Sequence, residues 1–203
     1  MSRPDNPGRG PFLERLPYGK ALPLDRVIDS DLFPFTGEIS TKPLERPTIP
    51  EPERRGIGGL DCFACADSRS GVIWRNPRWH VRAGADPSGL ALVCVLMPNE
   101  HSDLEDLPPG LATELGPMMQ RVARALGSLP EVGRVHVNRW GDGSEHFHVW
   151  FLPRPLGMWQ MRGAMLAIWD DLLPPIPRDE WLANRRAVAA ELAAEDGEVV
   201  AAD

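Results

Sequence analysis

Glu145-His-Phe-His-Val-Trp-Phe-Leu-Pro-Arg154 predicts more about the fold of this chain than any other segment. Two of the five histidines, His146 and His148, alternate there with apolar residues. This period of two predicts a buried strand over His146–Leu152, with both histidines on one of its faces. A loop of Gly, Asp and Ser at Gly141–Ser144 precedes the pair, so the pattern indicates chemistry rather than packing.

Hydrophobic patterning around this segment predicts an antiparallel sheet with helices packed on it. Further strands are predicted at Gly71–Arg75, Trp79–Ala83, Leu90–Met97 and Val135–Asn138. Helices are predicted over Leu111–Leu126, Met158–Leu173 and Arg178–Glu195, the first preceded by a Pro-Pro start signal. The short loop before His146 makes its strand the antiparallel partner of Val135–Asn138. The predicted fold class is therefore α+β.

Composition divides the chain into three predicted regions. Residues 1–57 form a Pro-rich arm whose apolar side chains are too numerous for a free linker, and an Arg-Arg-Gly-Ile-Gly-Gly boundary follows at Arg54–Gly59. Residues 58–157 form the α+β domain, and residues 158–203 form a helical extension with an acidic tail. We expect that tail, within Ala187–Asp203, to be solvated.

Charge and hydropathy exclude several classes of partner. A net charge of −7 argues against general binding to a nucleic-acid backbone. No apolar run is long enough to span a membrane. Met1–Gly10 lacks the apolar segment of a signal peptide, so a cytoplasmic location is expected.

The Cys62-Phe-Ala-Cys65 unit is the second candidate site. A C-x-x-C unit can be a redox pair, two buried thiols or half of a zinc site. The redox interpretation needs a thioredoxin-like βαβ context that this neighbourhood lacks. Zinc needs two further ligands, and His101 and His146 lie at the ends of elements that can converge on the cysteines. A closed Cys2His2 site would be structural. The third cysteine, Cys94, reads as a core residue.

Taken in order, these motifs resemble the histidine triad (HIT) superfamily of nucleotide hydrolases and transferases. The resemblance runs from about Asp61 to Pro155, roughly half of the chain. It comprises the C-x-x-C unit, a strand ending in Pro98-Asn-Glu-His101, a strand ending in Asn138, and His146-Phe-His148-Val-Trp150 as the signature. A HIT-like α+β domain is the implied fold.

Several residue roles follow from this resemblance. Zinc-containing members bind the metal through the positions of Cys62, Cys65, His101 and His146. The position of His148 supplies the nucleophile that attacks the α-phosphorus of a nucleotide. Asn138 falls on the position that contacts the ribose-phosphate portion.

General chemistry agrees with these roles. An imidazole is a good nucleophile near neutral pH when its other nitrogen is held by a hydrogen bond, usually to a backbone carbonyl. Backbone N–H groups of Gly141–Ser144 can receive developing negative charge, and Gly143 and Ser144 are the candidate nucleotide contacts in this loop.

Trp150 departs from the family pattern. Hydrolases of the family have His at this third signature position, and the galactose-1-phosphate uridylyltransferase branch has Gln. An indole only donates hydrogen bonds and cannot shuttle a proton, so another acid such as Glu145 or Ser144 would be needed. Trp150 can equally serve as a stacking wall for a base or as a core residue. The loop between Asn138 and His146 is also shorter than the family pattern.

The leading hypothesis is a zinc-containing nucleotide hydrolase or nucleotidyltransferase that works through His148. The alternative is a catalytically silent, zinc-stabilised domain that binds a nucleotide or a protein. A third option is a sugar-nucleotide transferase. The resemblance also implies a nucleotide or nucleotide-conjugate substrate and a homodimer.

Overall fold

The computed structural model describes residues 11–66 and 71–200, which fall into two compact units that meet in sequence between Glu53 and Arg54. The first unit carries two one-turn helices, α1 (Pro11–Glu14) and α2 (Asp25–Ile28). Within it, the Leu22 N–H donates to the Thr41 hydroxyl over 2.8 Å, which ties two extended segments together. The predicted absence of a signal peptide concerns Met1–Gly10, outside the described residues.

The second unit is built on a six-stranded antiparallel sheet with the order β4-β5-β3-β2-β1-β6. Its strands are β1 (Val72–Arg75), β2 (Trp79–Ala83), β3 (Cys94–Pro98), β4 (Val132–Asn138), β5 (Val149–Pro155) and β6 (Glu198–Val199). Its helices are α3 (Phe63–Ala66), α4 (Pro109–Gly127), α5 (Met165–Leu172) and α6 (Arg178–Ala193). The α+β prediction is confirmed. None of the described helices is long and apolar enough to cross a membrane.

The two faces of the sheet are covered differently. The main core lies between one face and helices α4 and α6, where Phe147, Val149 and Phe151 pack with Val122 and Val188. Helix α4 buries Leu111, Met118, Val122 and Leu126, as its spacing predicts. On the opposite face a smaller cluster around Leu90, Leu152, Met161 and Leu166 packs with part of Trp150.

Strand β5 begins three residues later than predicted. The prediction of a strand from His146 is wrong because the preceding backbone bonds elsewhere: Glu145 N–H donates to the Arg55 carbonyl and Phe147 N–H to the Ser102 carbonyl. Both histidines therefore lie on the segment that leads into the strand, where long-range partners hold them.

Two other elements are shorter than predicted. Strand β3 starts at Cys94 rather than Leu90, since the Leu90 N–H is bonded to the Ser88 hydroxyl. The helix predicted over Met158–Leu173 is divided into a 3-10 turn (Trp159–Met161) and α5 by Gly163, whose φ of 68° does not continue a helix.

The acidic end of the chain is more ordered than its composition suggests. Strand β6 pairs with β1, and the Asp196 carbonyl accepts hydrogen bonds from the Trp74 indole and the Arg121 guanidinium. Arg121 also lies over the Trp74 ring, 4.8 Å from its centroid. These contacts fasten the last helix to the sheet.

Candidate metal centre and adjoining histidine site

The C-x-x-C unit forms a tight knuckle. The Cys65 and Ala66 N–H groups both donate to the Cys62 carbonyl, at 3.1 and 2.8 Å, so α3 is a single turn that brings the second cysteine back toward the first. Cys62 is buried and Cys65 is exposed, and neither forms a disulfide.

Four predicted ligands converge at this knuckle. One ligand atom from each of Cys62, Cys65, His101 and His146 lies within 4.8 Å of the others. The Cys62 Sγ–His146 Nδ1, Cys65 Sγ–His146 Nδ1 and Cys65 Sγ–His101 Nδ1 distances are 3.4, 3.5 and 3.6 Å. Ordinary Zn–S and Zn–N bonds at a tetrahedral angle separate S and N by about 3.6 Å, so this cluster fits zinc in donor type and spacing.

His146 is held in the orientation that a ligand requires. Its Nε2–H donates to the Pro98 carbonyl over 3.0 Å, which leaves the Nδ1 lone pair directed at both cysteines. Burial lowers the pKa of His146 and outweighs the opposing hydrogen bond to Pro98, and the neighbouring His101 and Arg82 lower it further. A neutral ring with a fixed tautomer results.

His148 has the complementary arrangement. Its Nδ1 lies 2.7 Å from the His146 carbonyl, and because a carbonyl only accepts, Nδ1 carries the proton. Nε2 is then the basic nitrogen. The His148 side chain is buried, with 9% of its surface exposed. Its ring centroid lies 6.4 Å from that of Trp150.

Asn138 and Trp150 lie on the same face of the sheet because they are directly paired across β4 and β5. Trp140, which the sequence analysis did not single out, lies beside Trp150 with ring centroids 6.3 Å apart and 46% of its surface exposed. His136 is paired with Leu152 on the same face. The structure thus places Asn138 opposite Trp150 on one face of neighbouring strands, with His148 beside Trp150 on the segment that leads into β5.

The predicted phosphate loop, Gly141–Ser144, is fastened to a segment that the sequence analysis treated only as a boundary. Arg55 N–H donates to the Gly143 carbonyl, and Arg55 forms a parallel bridge with Ser144. The predicted contacts Gly143 and Ser144 are therefore part of a two-stranded strap close in sequence to His146.

An ionic cluster of Arg54, Asp103 and Arg139 holds the other side of this loop, and no local sequence pattern predicts it. Asp103 is 4% exposed and accepts from Arg54 and, at 2.7 Å, from Arg139. Arg54 also donates to the Gly141 carbonyl over 3.2 Å. Burial alone would raise the pKa of Asp103, but the hydrogen bonds from Arg54 and the Leu104 N–H and the two arginine charges lower it.

A Cβ on Gly141 would lie 2.3 Å from an Arg139 guanidinium nitrogen. A larger residue there would therefore displace the end of the Arg139 side chain, which bonds to Asp103.

Glu145 faces the metal cluster. Its Oε2 accepts from the Gly58 N–H over 2.6 Å and lies 3.8 Å from His101 Nε2. A separate cavity of about 630 Å³ lies on the β1–β2 side of the knuckle, and among the described residues its lining includes Ala64, His80 and Asn99 but neither His148 nor Asn138.

Comparison with known proteins places histidine triad proteins among the similar structures. A Zn-bound histidine triad family protein from Mycobacterium smegmatis is 21% identical, with 68% of this chain and 99% of that chain covered at a TM-score of 0.49. A hypothetical histidine triad nucleotide-binding protein from Sulfolobus tokodaii is 12% identical over 66% of this chain and 93% of that chain, also at 0.49. A histidine triad protein from Bradyrhizobium japonicum is 18% identical, with 61% of this chain and 92% of that chain covered at a TM-score of 0.48.

Two further similar structures are also histidine triad or Hit-like proteins, so the family that the sequence motifs resemble recurs among the similar structures. No family model matches the sequence, and no curated protein matches it either. Identities below 25% at TM-scores below 0.5 carry no function to this chain, so its function rests on its own residues.

Proposed function

We propose that this chain is a zinc-containing nucleotide hydrolase or nucleotidyltransferase that acts through a nucleotidyl-histidine intermediate at His148. The observation that carries the proposal is the 2.7 Å hydrogen bond from His148 Nδ1–H to the His146 carbonyl. It assigns the proton to Nδ1 and leaves Nε2 as a nucleophile, in a ring that is already oriented.

Zinc, when bound, would be held by Cys62, Cys65, His101 and His146. With four protein ligands it has no open position, so the chemistry it supplies is structural. His146 links the two sites: its Nδ1 faces the cysteines, while its carbonyl accepts from His148. Fixing the His146 side chain therefore also fixes the acceptor that orients the nucleophile.

The first step is attack of His148 Nε2 on the α-phosphorus of a nucleotide conjugate. A P–N bond forms as the bond to the leaving group breaks, and the leaving group departs with its electron pair. Asn138, on the same face, contacts the ribose-phosphate portion, and N–H groups of the Gly141–Ser144 loop receive the negative charge that develops. Water or another acceptor then attacks phosphorus and releases His148 Nε2.

Trp150 supports a second candidate, a silent nucleotide- or protein-binding domain. Its indole donates a hydrogen bond but cannot transfer its proton as an acid near neutral pH, and its ring centroid lies 6.4 Å from that of His148, where a leaving-group acid would be useful. If no other acid serves, only substrates with good leaving groups react. The proposal also includes a homodimer in the cytoplasm, where a reducing environment keeps Cys62 and Cys65 free of disulfides.

Turnover of a panel of dinucleoside polyphosphates, nucleoside phosphoramidates and sugar nucleotides tests the proposal. We expect wild-type protein to cleave at least one class and His148→Asn to lose that turnover while keeping its zinc content. His136→Asn is the matched control, because it removes a histidine from the same sheet face. No turnover of any substrate, with saturable nucleotide binding, would favour the silent domain; full turnover by His148→Asn would exclude the mechanism.

A further inference from the structure

We propose that Glu145 is the outer-sphere partner of the metal ligand His101 and couples the metal centre to the Gly141–Ser144 loop. This inference rests on the zinc site of the proposed function and adds a positioning residue to it. Glu145 acts on the metal through His101 and does not itself coordinate it.

The two candidate histidine ligands differ in how their outer nitrogens are satisfied. Both present Nδ1 to the cysteines, so both need a proton on Nε2 and an acceptor for it. His146 has its acceptor, the Pro98 carbonyl at 3.0 Å. His101 Nε2 is buried and has no partner within hydrogen-bond distance among the described residues.

Glu145 is placed to be the missing acceptor. Its Oε2 lies 3.8 Å from His101 Nε2, about 0.6 Å beyond the usual upper limit of an N–H···O hydrogen bond. Carboxylates are among the usual outer partners of ligating histidines. A carboxylate used in this way is not also the acid that protonates a leaving group at His148.

The glycine-rich turn Gly56–Gly59 holds the carboxylate in place. Gly58, at a φ of 61°, donates its N–H to Glu145 Oε2 over 2.6 Å. A Cβ on Gly59 would lie 3.8 Å from the His101 ring, and one on Gly56 would lie 3.2 Å from the Cys62 Cβ. The turn therefore packs directly on two of the four ligands.

Covalent connectivity extends this contact to the candidate phosphate loop. Glu145 follows Ser144, and its N–H donates to the Arg55 carbonyl over 3.0 Å, just before the glycine turn begins. The metal ligand, the carboxylate, the turn and the loop thus form one connected unit. Zinc binding should therefore restrain the Gly56–Gly59 turn and the Gly141–Ser144 loop together.

Zinc affinity, measured by competition with a chromogenic chelator, tests this role. Glu145→Gln keeps an oxygen that can accept from Gly58 but removes the carboxylate that His101 needs. Outer-shell losses typically cost about 10- to 100-fold in metal affinity, and that is the expected loss. Glu105→Gln, the matched control, removes the same charge from an exposed residue on the 3-10 turn Leu104–Asp106 and should bind zinc like wild type.

A spectroscopic measurement on wild type does not depend on how the variant folds. In ¹H–¹⁵N spectra of the zinc-loaded protein we expect slowly exchanging Nε2–H signals from both His101 and His146, and loss of protection at His101 alone in Glu145→Gln. Affinity within twofold of wild type in Glu145→Gln, an equal loss in Glu105→Gln, or an unprotected His101 Nε2–H in wild type would each overturn the inference. Wild-type protein that binds no zinc would instead overturn the metal part of the proposed function.

Discussion

At the scale of single residues, the site depends on which nitrogen of each histidine carries the proton. His146 donates from Nε2 to Pro98, and His148 donates from Nδ1 to the His146 carbonyl. This difference suits His146 to the proposed role of metal ligand and His148 to the proposed role of nucleophile. Backbone carbonyls make the distinction, because each accepts from the ring nitrogen that faces it and leaves the other nitrogen available.

Replacing Trp150 with histidine should increase activity. If the site lacks a leaving-group acid, Trp150→His should raise turnover of substrates with poor leaving groups by about 10-fold or more, since positioned acids contribute about 10²- to 10⁴-fold. Substrates with good leaving groups should change little. The kcat values for a leaving-group series report this directly, and an equal effect on every substrate would contradict the assigned position of Trp150.

At the scale of elements, the loop between β4 and β5 is held from two sides. The strap with Arg55 holds one side, and the Arg54–Asp103–Arg139 cluster holds the other. Both arginines are partly exposed, so solvent screens part of their attraction to Asp103. Because Arg54 also donates to the Gly141 carbonyl, the ionic cluster positions the loop as well as stabilising the fold.

Asp103→Asn should destabilise the second unit by about 1–3 kcal/mol, because a buried carboxylate with charged partners is lost. Urea unfolding measures this change. The control is Asp106→Asn, which replaces an exposed acid on the 3-10 turn that Asp103 caps. We also expect a higher KM for nucleotide in Asp103→Asn, because the loop is less restrained. Unfolding free energies equal to wild type would show that the ionic cluster adds nothing.

At the scale of the whole molecule, folding should depend on pH through His80. The structure buries His80 between Asn99, whose side-chain oxygen lies 2.9 Å from Nδ1, and Arg82, which donates to Nε2 over 3.3 Å. Burial lowers the pKa of His80 to about 4, and the Asn99 contact opposes that shift only in part.

The sign of this effect follows from linkage. Between about pH 6.5 and 4 the unfolded chain binds a proton at His80 that the folded protein excludes, so stability falls as pH falls, by up to about 1.4 kcal/mol per unit. His80→Gln removes this contribution. The unfolding free energy of wild type minus that of His80→Gln should therefore fall from pH 7 to pH 5. A difference that stays constant would contradict this role of His80.

Local patterns predicted much of the architecture and most of the metal cluster. Trp79–Ala83 was predicted with its observed bounds, and the C-x-x-C knuckle and both histidines are readable because each is encoded within a few residues. The start of β5 and the Asp103 cluster depend on partners as far away in sequence as Arg54 and Ser102, which no local period reveals. Strand β6 has only two residues, too few for a pattern.

The most direct test of the central claim is the intact mass of the protein, quenched within milliseconds of mixing with a cleavable nucleotide conjugate. We predict an added mass of one nucleoside monophosphate, acid-labile as a phosphoramidate is, that maps to the peptide containing His148 and is absent in His148→Asn. Turnover without any adduct, or an adduct that persists in His148→Asn, would contradict the account.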